Sequence, residues 1–313
     1  MSASFGSAVG DFFFGVFVLL VRAMERIPSP VFFKACFESG FCRTLGFFIL
    51  QPSFFAMSSI EWVDVHCHCD SATLASSWKK AGEAANIEFV VSNGVNLASI
   101  EQQLADLKKP FFRVALGVHP LEVPGLDETK MTNTMRQLES RLEAFVAVGE
   151  IGLDFFRCTD LAGQSRQERV FWAWLEFAKK HNKPVIVHSR GAEAHCLELL
   201  EKSGCTKVLL HWFSGPDELV LRAIKGGFYF SIGPSVLQSK RTQAMARLIP
   251  RNLFLLETDA PVPFSGSASD PSWIPRVGEA VANIWNESIE NVALQTTQNA
   301  RRFFSLDAEK GWQ

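Results

Sequence analysis

Tyrosine is almost missing from this 313-residue chain: there is one, against 28 Phe. Cysteine is sparse, with seven residues, no CxxC pair and no dense spacing. That excludes a disulfide framework and points to a reducing compartment, cytoplasmic or nuclear. Net charge is nearly absent, 31 basic against 33 acidic residues for a formal −2. A protein whose main task is coating nucleic acid electrostatically needs a basic excess, so that class is excluded. Charged residues at 20% and hydrophobic residues at 47% exclude wholesale disorder and low-complexity chains. The length exceeds what one hydrophobic core usually fills. One large domain with an appendage and two domains are therefore both open.

The phenylalanines are unevenly spread, 13 in residues 1–56 and 15 in residues 57–313. The run Phe12–Val21 is ten residues, broken by Gly15. A membrane-spanning helix needs about 17–25 apolar residues. The length suits a signal-peptide core better, but residues 1–11 hold Asp11 and no Lys or Arg, and no clear cleavage site follows. A shorter apolar patch, Phe47–Leu50, lies beyond Pro28 and Pro30. Three readings of this Phe-rich N-terminal extension stay open. It is a targeting or anchoring segment, an extension packed on the main domain, or an upstream translation absent from the working protein. No firm membrane association and no stable protein partner are expected. The domain division is 1–56 for the extension and 57–313 for a self-sufficient domain opening at Met57.

From Ile60 onward, short apolar β-branched runs alternate with longer amphipathic stretches. The spacing predicts strands at Trp62–Cys67, Phe89–Asn93, Arg113–Val118, Phe145–Gly149, Pro184–His188, Lys207–His211, Phe228–Ile232 and Leu253–Glu257. Helices are predicted at Leu74–Asn86, Asp127–Ala144, Gln164–His181 and Pro216–Lys225, with Ser288–Phe304 as the terminal one. Alternating βα units with continuously apolar strands imply a parallel sheet buried on both faces. Eight such units in about 250 residues predict a (β/α)8 TIM barrel. An open doubly wound sheet is the runner-up, weakened because no GxGxxG turn follows the first strand.

Six predicted strands close on a His or a carboxylate. The first carries Asp64, His66 and His68; others end in His119, Glu150, His188, His211 and Asp259. Strict alternation puts Asp64, His66 and His68 on one face of their strand and Val63, Val65 and Cys67 on the other. Burying such groups singly costs several kcal/mol each. One alone reads as a satisfied core histidine; six at one sheet edge read as a site. In a barrel all eight C-terminal strand ends meet at one mouth. Imidazoles with carboxylates suit Zn or Mn, with Mg possible on the carboxylate side. Four His and two carboxylates exceed the three protein ligands of one catalytic ion, so two divalent ions are expected, with Glu150 as the bridge. Paired ions suit in-line phosphodiester hydrolysis. A Cys-ligated centre at Cys67 and Cys69 is disfavoured, because alternation turns both away from the His pair.

The ordered set Asp64-x-His66-x-His68, Gly117-x-His119-Pro120, Gly149-Glu150-Ile151-Gly152-Leu153-Asp154, His188-Ser189-Arg190, His211-Trp212-Phe213-Ser214-Gly215 and Glu257-Thr258-Asp259-Ala260-Pro261 resembles the signatures of the TatD-type deoxyribonucleases. These are amidohydrolase-like TIM barrels. The resemblance spans residues 60 to about 306. Lys207–Gly215, Gly227–Ser235 and Thr296–Phe304 are similar to the eukaryotic branch called TatD DNase domain-containing 3. The resemblance implies a metal-dependent hydrolase that cuts DNA phosphodiesters from an end. His66, His68, Asp259 and Glu150 would hold one ion, and Glu150, His188 and His211 the other. His119 would contact the scissile phosphate or assist proton transfer, and Asp259 would take a proton from the attacking water. Arg190 would bind a phosphate, or else fix a carboxylate such as Asp154 or Asp64. One departure stands out. The family's loop after the last strand carries an Arg followed by Asn-Glu-Pro, whereas no Arg lies here between Asp259 and Arg276. Mouth loops select substrate, so an amide, ester or other non-nucleic-acid substrate is the alternative.

Overall fold

The computed structural model describes residues 60–107 and 110–306. The architecture belongs to the unit Ser59–Gln313. The Phe-rich extension 1–56, with Phe12–Val21, lies outside the described residues. Eight parallel strands alternate with helices: β1 Trp62–Cys67, α1 Ala72–Ala84, β2 Ile87–Asn93, α2 Leu97–Asp106, β3 Phe112–Ala115, α3 Glu128–Glu139, β4 Val148–Gly152 and α4 Leu161–Lys180. The second half follows as β5 Val185–His188, α5 Glu193–Ser203, β6 Val208–Leu210, α6 Asp217–Lys225, β7 Tyr229–Ile232, α7 Lys240–Leu248, β8 Phe254–Leu256, α8 Ile274–Trp285 and α9 Ile289–Phe304. Polar N-caps set many of the helix starts, as where the Asp160 side chain accepts from Gly163 N.

The ladder runs β1-β2-β3 and β4-β5-β6-β7-β8. Two seams join these arcs. Ala115 bridges Ala147 in parallel, with Leu116 N donating to Ala147 O at 3.1 Å. Across the other seam, Asp259 N donates to His66 O (2.9 Å) and His68 N to Ala260 O (2.6 Å). The sheet thus closes into the expected barrel, and the second seam is built from site residues.

Alternate strand residues divide into two cores. Val65, Val91, Ala115, Ile186, Leu209 and Leu255 fill the interior, which Phe303 and Phe304 of α9 plug. Val90, Val148, Val187, Leu210 and Leu256 face outward against the helices. Together these layers bury the large apolar side chains that drive folding, at about 25 cal/mol per Å² removed from water. Strand four starts at Val148 rather than Phe145, because Leu142–Ala144 is a tight helical turn that carries the chain in from α3. Strand three ends at Ala115, so His119 stands beyond it and caps a short 3-10 turn, Pro120–Gly125. Among the described residues no helix is long and apolar enough to cross a membrane. The five described cysteines are all free thiols.

Candidate metal centre

A register shift between Asp64 and Cys67 interrupts the pairing of β1 with β2. Strict alternation therefore fails. Val63 and Val65 pack into the barrel interior, whereas Cys67 faces the outer core. The shift lets His66 turn into the mouth directly after an inward Val65, the re-aiming typical of bulges near active sites. Cys67 Sγ donates to Val91 O (3.5 Å) and Cys69 Sγ to Ser71 O (3.7 Å), away from the His pair. Asp64 is fully buried and does not join the pair. Its carboxylate accepts from Thr258 N (3.0 Å) and Thr258 Oγ1 (2.5 Å), tying β1 to the end of β8. Burial pushes the Asp64 pKa up to about 7 against those bonds.

His66 Nε2 and His68 Nε2 lie 3.1 Å apart. Glu150 Oε2 is 3.4 Å from the first and 3.3 Å from the second. Asp259 Oδ1 is 3.4 and 3.3 Å away. Five of the six edges of a tetrahedron are thus nearly equal. Corners about 3.3 Å apart lie about 2.0 Å from their common centre, the Zn–N and Zn–O bond length. This donor set fits a divalent ion without rearrangement. Without one, burial disfavours charge on these rings, but Glu150 and Asp259 outweigh it. They hold His66 well above its ordinary value and His68 at about 9. Burial likewise opposes ionisation of both carboxylates, and the surrounding imidazoles reverse it, so Glu150 and Asp259 sit below the ordinary carboxylate range.

The other oxygen of Glu150 serves a second group. Its Oε1 is 2.9 Å from His188 Nδ1 and 3.6 Å from both His211 Nε2 and His119 Nε2. Two further carboxylates orient these rings. Asp154 Oδ2 meets His188 Nε2 at 3.1 Å, and Glu257 Oε2 meets His211 Nδ1 at 2.9 Å. Glu257 also accepts from Ser231 Oγ (2.5 Å) and Trp212 N (3.1 Å). Burial resists charge on His188, yet Asp154 and Glu150 hold its pKa at about 9. His119 behaves oppositely. Burial outweighs Glu150 and brings it down to about 4. Leu121 N donates to His119 Nδ1 (3.1 Å), so the neutral ring carries its proton on Nε2, facing the site.

Backbone conformation locks the arrangement. Gly152 has φ +143°, and a Cβ there would lie 1.9 Å from His188 O. Only glycine lets β4 close on β5 and bring Glu150 beside His188. Trp212 (φ 39°) and Asp259 (φ 53°) are both left-handed. Such strain costs about 1–3 kcal/mol per residue and clusters at functional sites. Here Trp212 N to Glu257 and Asp259 N to His66 O help offset it.

The structure therefore brings His66, His68, Glu150, Asp259, His188, His211 and His119 together at the C-terminal mouth. All but the fully buried His66 line a cavity of about 450 Å³. Arg190 lines it too, but among the described residues it holds no carboxylate at hydrogen-bond range. Asp154 is bound by His188 and by Arg157 N (2.8 Å), and Asp64 by Thr258. The Arg190 guanidinium instead lies over the Phe156 ring, 4.2 Å from its centroid. The roles of Asp154 and Glu257 towards His188 and His211 were not singled out from sequence. Their signal was present, since each lies at the C-terminal end of its strand beside a named ligand. The Arg-free loop after β8 folds as a hairpin, Pro263–Phe264 with Ser267–Ala268. Its turn residues Ser265 (φ 53°) and Gly266 (φ 84°) both take left-handed conformations, which match the strand twist.

The model of the family described as TatD related DNase matches residues 63–305. The chain belongs to the TatD-related DNase family. The deoxyribonuclease TATDN3 of Homo sapiens is 32% identical over 263 residues, 79% of this chain and 96% of that protein. YabD of Bacillus subtilis, described as an uncharacterized metal-dependent hydrolase, is 28% identical over 256 residues, 78% of this chain and 99% of its own. The crystal structure of YJJV, a TatD homolog from Escherichia coli, superposes with a TM-score of 0.73 at 25% identity. That match covers 79% of this chain and 98% of the other.

Proposed function

We propose that this protein is a two-ion hydrolase that cleaves DNA phosphodiester bonds from a strand end, and that residues 57–313 form its catalytic unit. The carrying observation is Glu150, whose Oε2 faces His66 and His68 while its Oε1 faces His188 and His211. One carboxylate between two nitrogen groups is the arrangement a bridged ion pair needs. Its relatives include proteins named as deoxyribonucleases and as metal-dependent hydrolases. In this reading His66, His68, Asp259 and Glu150 hold one ion, and Glu150, His188 and His211 hold the other. Bound there, two divalent ions supply Lewis-acid stabilisation of a phosphoryl group and a lowered pKa for the attacking water. The donor set suits Zn or Mn, with Mg least matched by four imidazoles.

The chain's own groups do the rest. Asp259 is ionised and its Oδ1 points at the His pair, so it is placed to take the proton from the attacking water. His119 is neutral with its proton on Nε2, which makes it a hydrogen-bond donor toward a phosphate oxygen rather than a metal ligand. Asp154 and Glu257 fix the rings of His188 and His211. Exposed Arg190 offers a guanidinium to the phosphate backbone. An amide or ester substrate would use the same ions but has no need of that cation.

The test uses the full-length protein and end-labelled single-stranded DNA. Chelation with EDTA is expected to abolish cleavage, as are Glu150→Ala and Asp259→Ala. Full cleavage after either substitution would refute the assignment.

A further inference from the structure

Beside the cavity, against its lining residue Arg190, stands an unusual exposed side chain. Phe156, in the loop after β4, is 60% exposed although most Phe residues of the barrel are buried. It does not stand alone. The guanidinium of Arg190 lies 4.2 Å from its ring centroid and that of Arg157 lies 6.0 Å away. Both arginines are exposed, and among the described residues neither makes an ion pair. The three side chains are held in place from below. Phe156 N donates to Arg190 O (3.4 Å), and Arg157 N donates to the buried Asp154. A Cβ at Gly191 would come within 2.9 Å of Phe156 N, so the two loops lie as close as glycine permits.

The cluster is joined to the catalytic floor. Asp154 binds the ring of His188, and Arg190 is two residues after His188 and itself lines the cavity. Glu150 is 1% exposed, at the bottom. A phosphodiester reaches Glu150 only by descending into the cavity, and a cavity of about 450 Å³ is of the size that encloses one small ligand. The nucleotide beside the scissile phosphate must then be unpaired, with its base at the rim. An aromatic face flanked by unpaired guanidinium groups is what single-strand binders offer a base and its phosphate. We propose that Phe156, backed by Arg190 and flanked by Arg157, is a stacking platform for one nucleobase of a single-stranded substrate. This deepens the nuclease reading and rests on it.

Steady-state kinetics of the full-length protein test it, with two single-stranded oligonucleotides that differ only in the residue at the cleaved end. One carries a normal nucleotide there, the other an abasic deoxyribose. With the normal substrate, Phe156→Ala is expected to raise KM about 5- to 150-fold, the span of one base–aromatic stack, and to leave kcat and metal content unchanged. Phe156→Tyr restores KM. With the abasic substrate, wild type and Phe156→Ala have the same raised KM, because the partner of the ring is gone. Arg190→Lys keeps the charge but cannot back the ring as a plane, so it too is expected to raise KM for the normal substrate. If wild type cuts the normal substrate and Phe156→Ala leaves its KM unchanged, the platform is refuted while the nuclease reading stands. If metal-loaded wild type cuts neither oligonucleotide, the nuclease reading falls and the platform with it.

Discussion

Glu257→Gln is the substitution that best separates ring orientation from mere presence of a ligand. The Glu257 side chain is fully buried and takes three donors. His211 Nδ1 (2.9 Å) and Ser231 Oγ (2.5 Å) converge on Oε2, and Trp212 N (3.1 Å) on Oε1. Glutamine has the same shape, but one end of the carboxylate becomes an NH2 donor. If the amide keeps its oxygen toward Trp212 N, the NH2 faces His211 Nδ1. The ring then lowers its cost by moving its proton to Nε2, the atom that faces Glu150 Oε1. A protonated Nε2 cannot ligate a metal. If the amide flips, the NH2 instead opposes Trp212 N–H, and the bond from Trp212 N is lost. Either way a charge-assisted hydrogen bond worth about 1.5–3 kcal/mol is lost. Outer carboxylates of this kind are worth about 10–100-fold in metal affinity. The expectation is one weakened ion of two. Isothermal titration of chelated protein with Zn should show the tighter event unchanged and the second weakened by about that factor, with cleavage recovered at high metal. Two unaltered binding events in Glu257→Gln would refute the orientation argument.

Three further outcomes follow from the protonation of the site. His119→Ala is expected to lower kcat about 100- to 1,000-fold with metal content unchanged; a loss of one ion would make His119 a ligand instead. The metal-free protein holds protons on His68 and His188 up to about pH 9. Both must leave when a metal binds, so apparent affinity should rise with pH between the ordinary imidazole value near 6.5 and about 9, with proton release measurable by titration in buffers of different ionisation enthalpy. The same raised values stabilise the metal-free fold. That stabilisation is complete below about 6.5 and is lost as pH rises through about 9. The metal-free Tm should therefore fall across this window, and a flat profile would contradict the pairing of these rings with Glu150, Asp154 and Asp259.

Much of the fold was readable from residues because the barrel's physics is local. A strand buried on both faces must be apolar throughout, so a His or Glu closing such a run marks the mouth. His188 and His211 announced themselves in this way, and predicted and observed strand bounds differ mostly by a residue or two at each end. The faces of β1 were not readable. Alternation presumes an unbroken ladder, and the register shift after Asp64 turns His66 inward directly after inward Val65. The position of Asp64 against Thr258 depends on β8 closing onto β1, a contact across 194 residues. Arg190 pairs with neither Asp154 nor Asp64. Its reach to Phe156 is set by how closely the loops after β4 and β5 pass at Gly191, which no spacing in one dimension records. The start of β4 shifted because a helical turn at Leu142–Ala144 competes with an apolar run that also suits a strand.

The most direct test of two-ion DNA hydrolysis is the cleavage rate of end-labelled single-stranded DNA as equivalents of a divalent ion are returned to the chelated full-length protein. The rate should be nil without metal, rise with added ion and level off near two per chain, and stay nil throughout for Glu150→Ala. Undiminished cleavage by the chelated protein, or by Glu150→Ala, would contradict it.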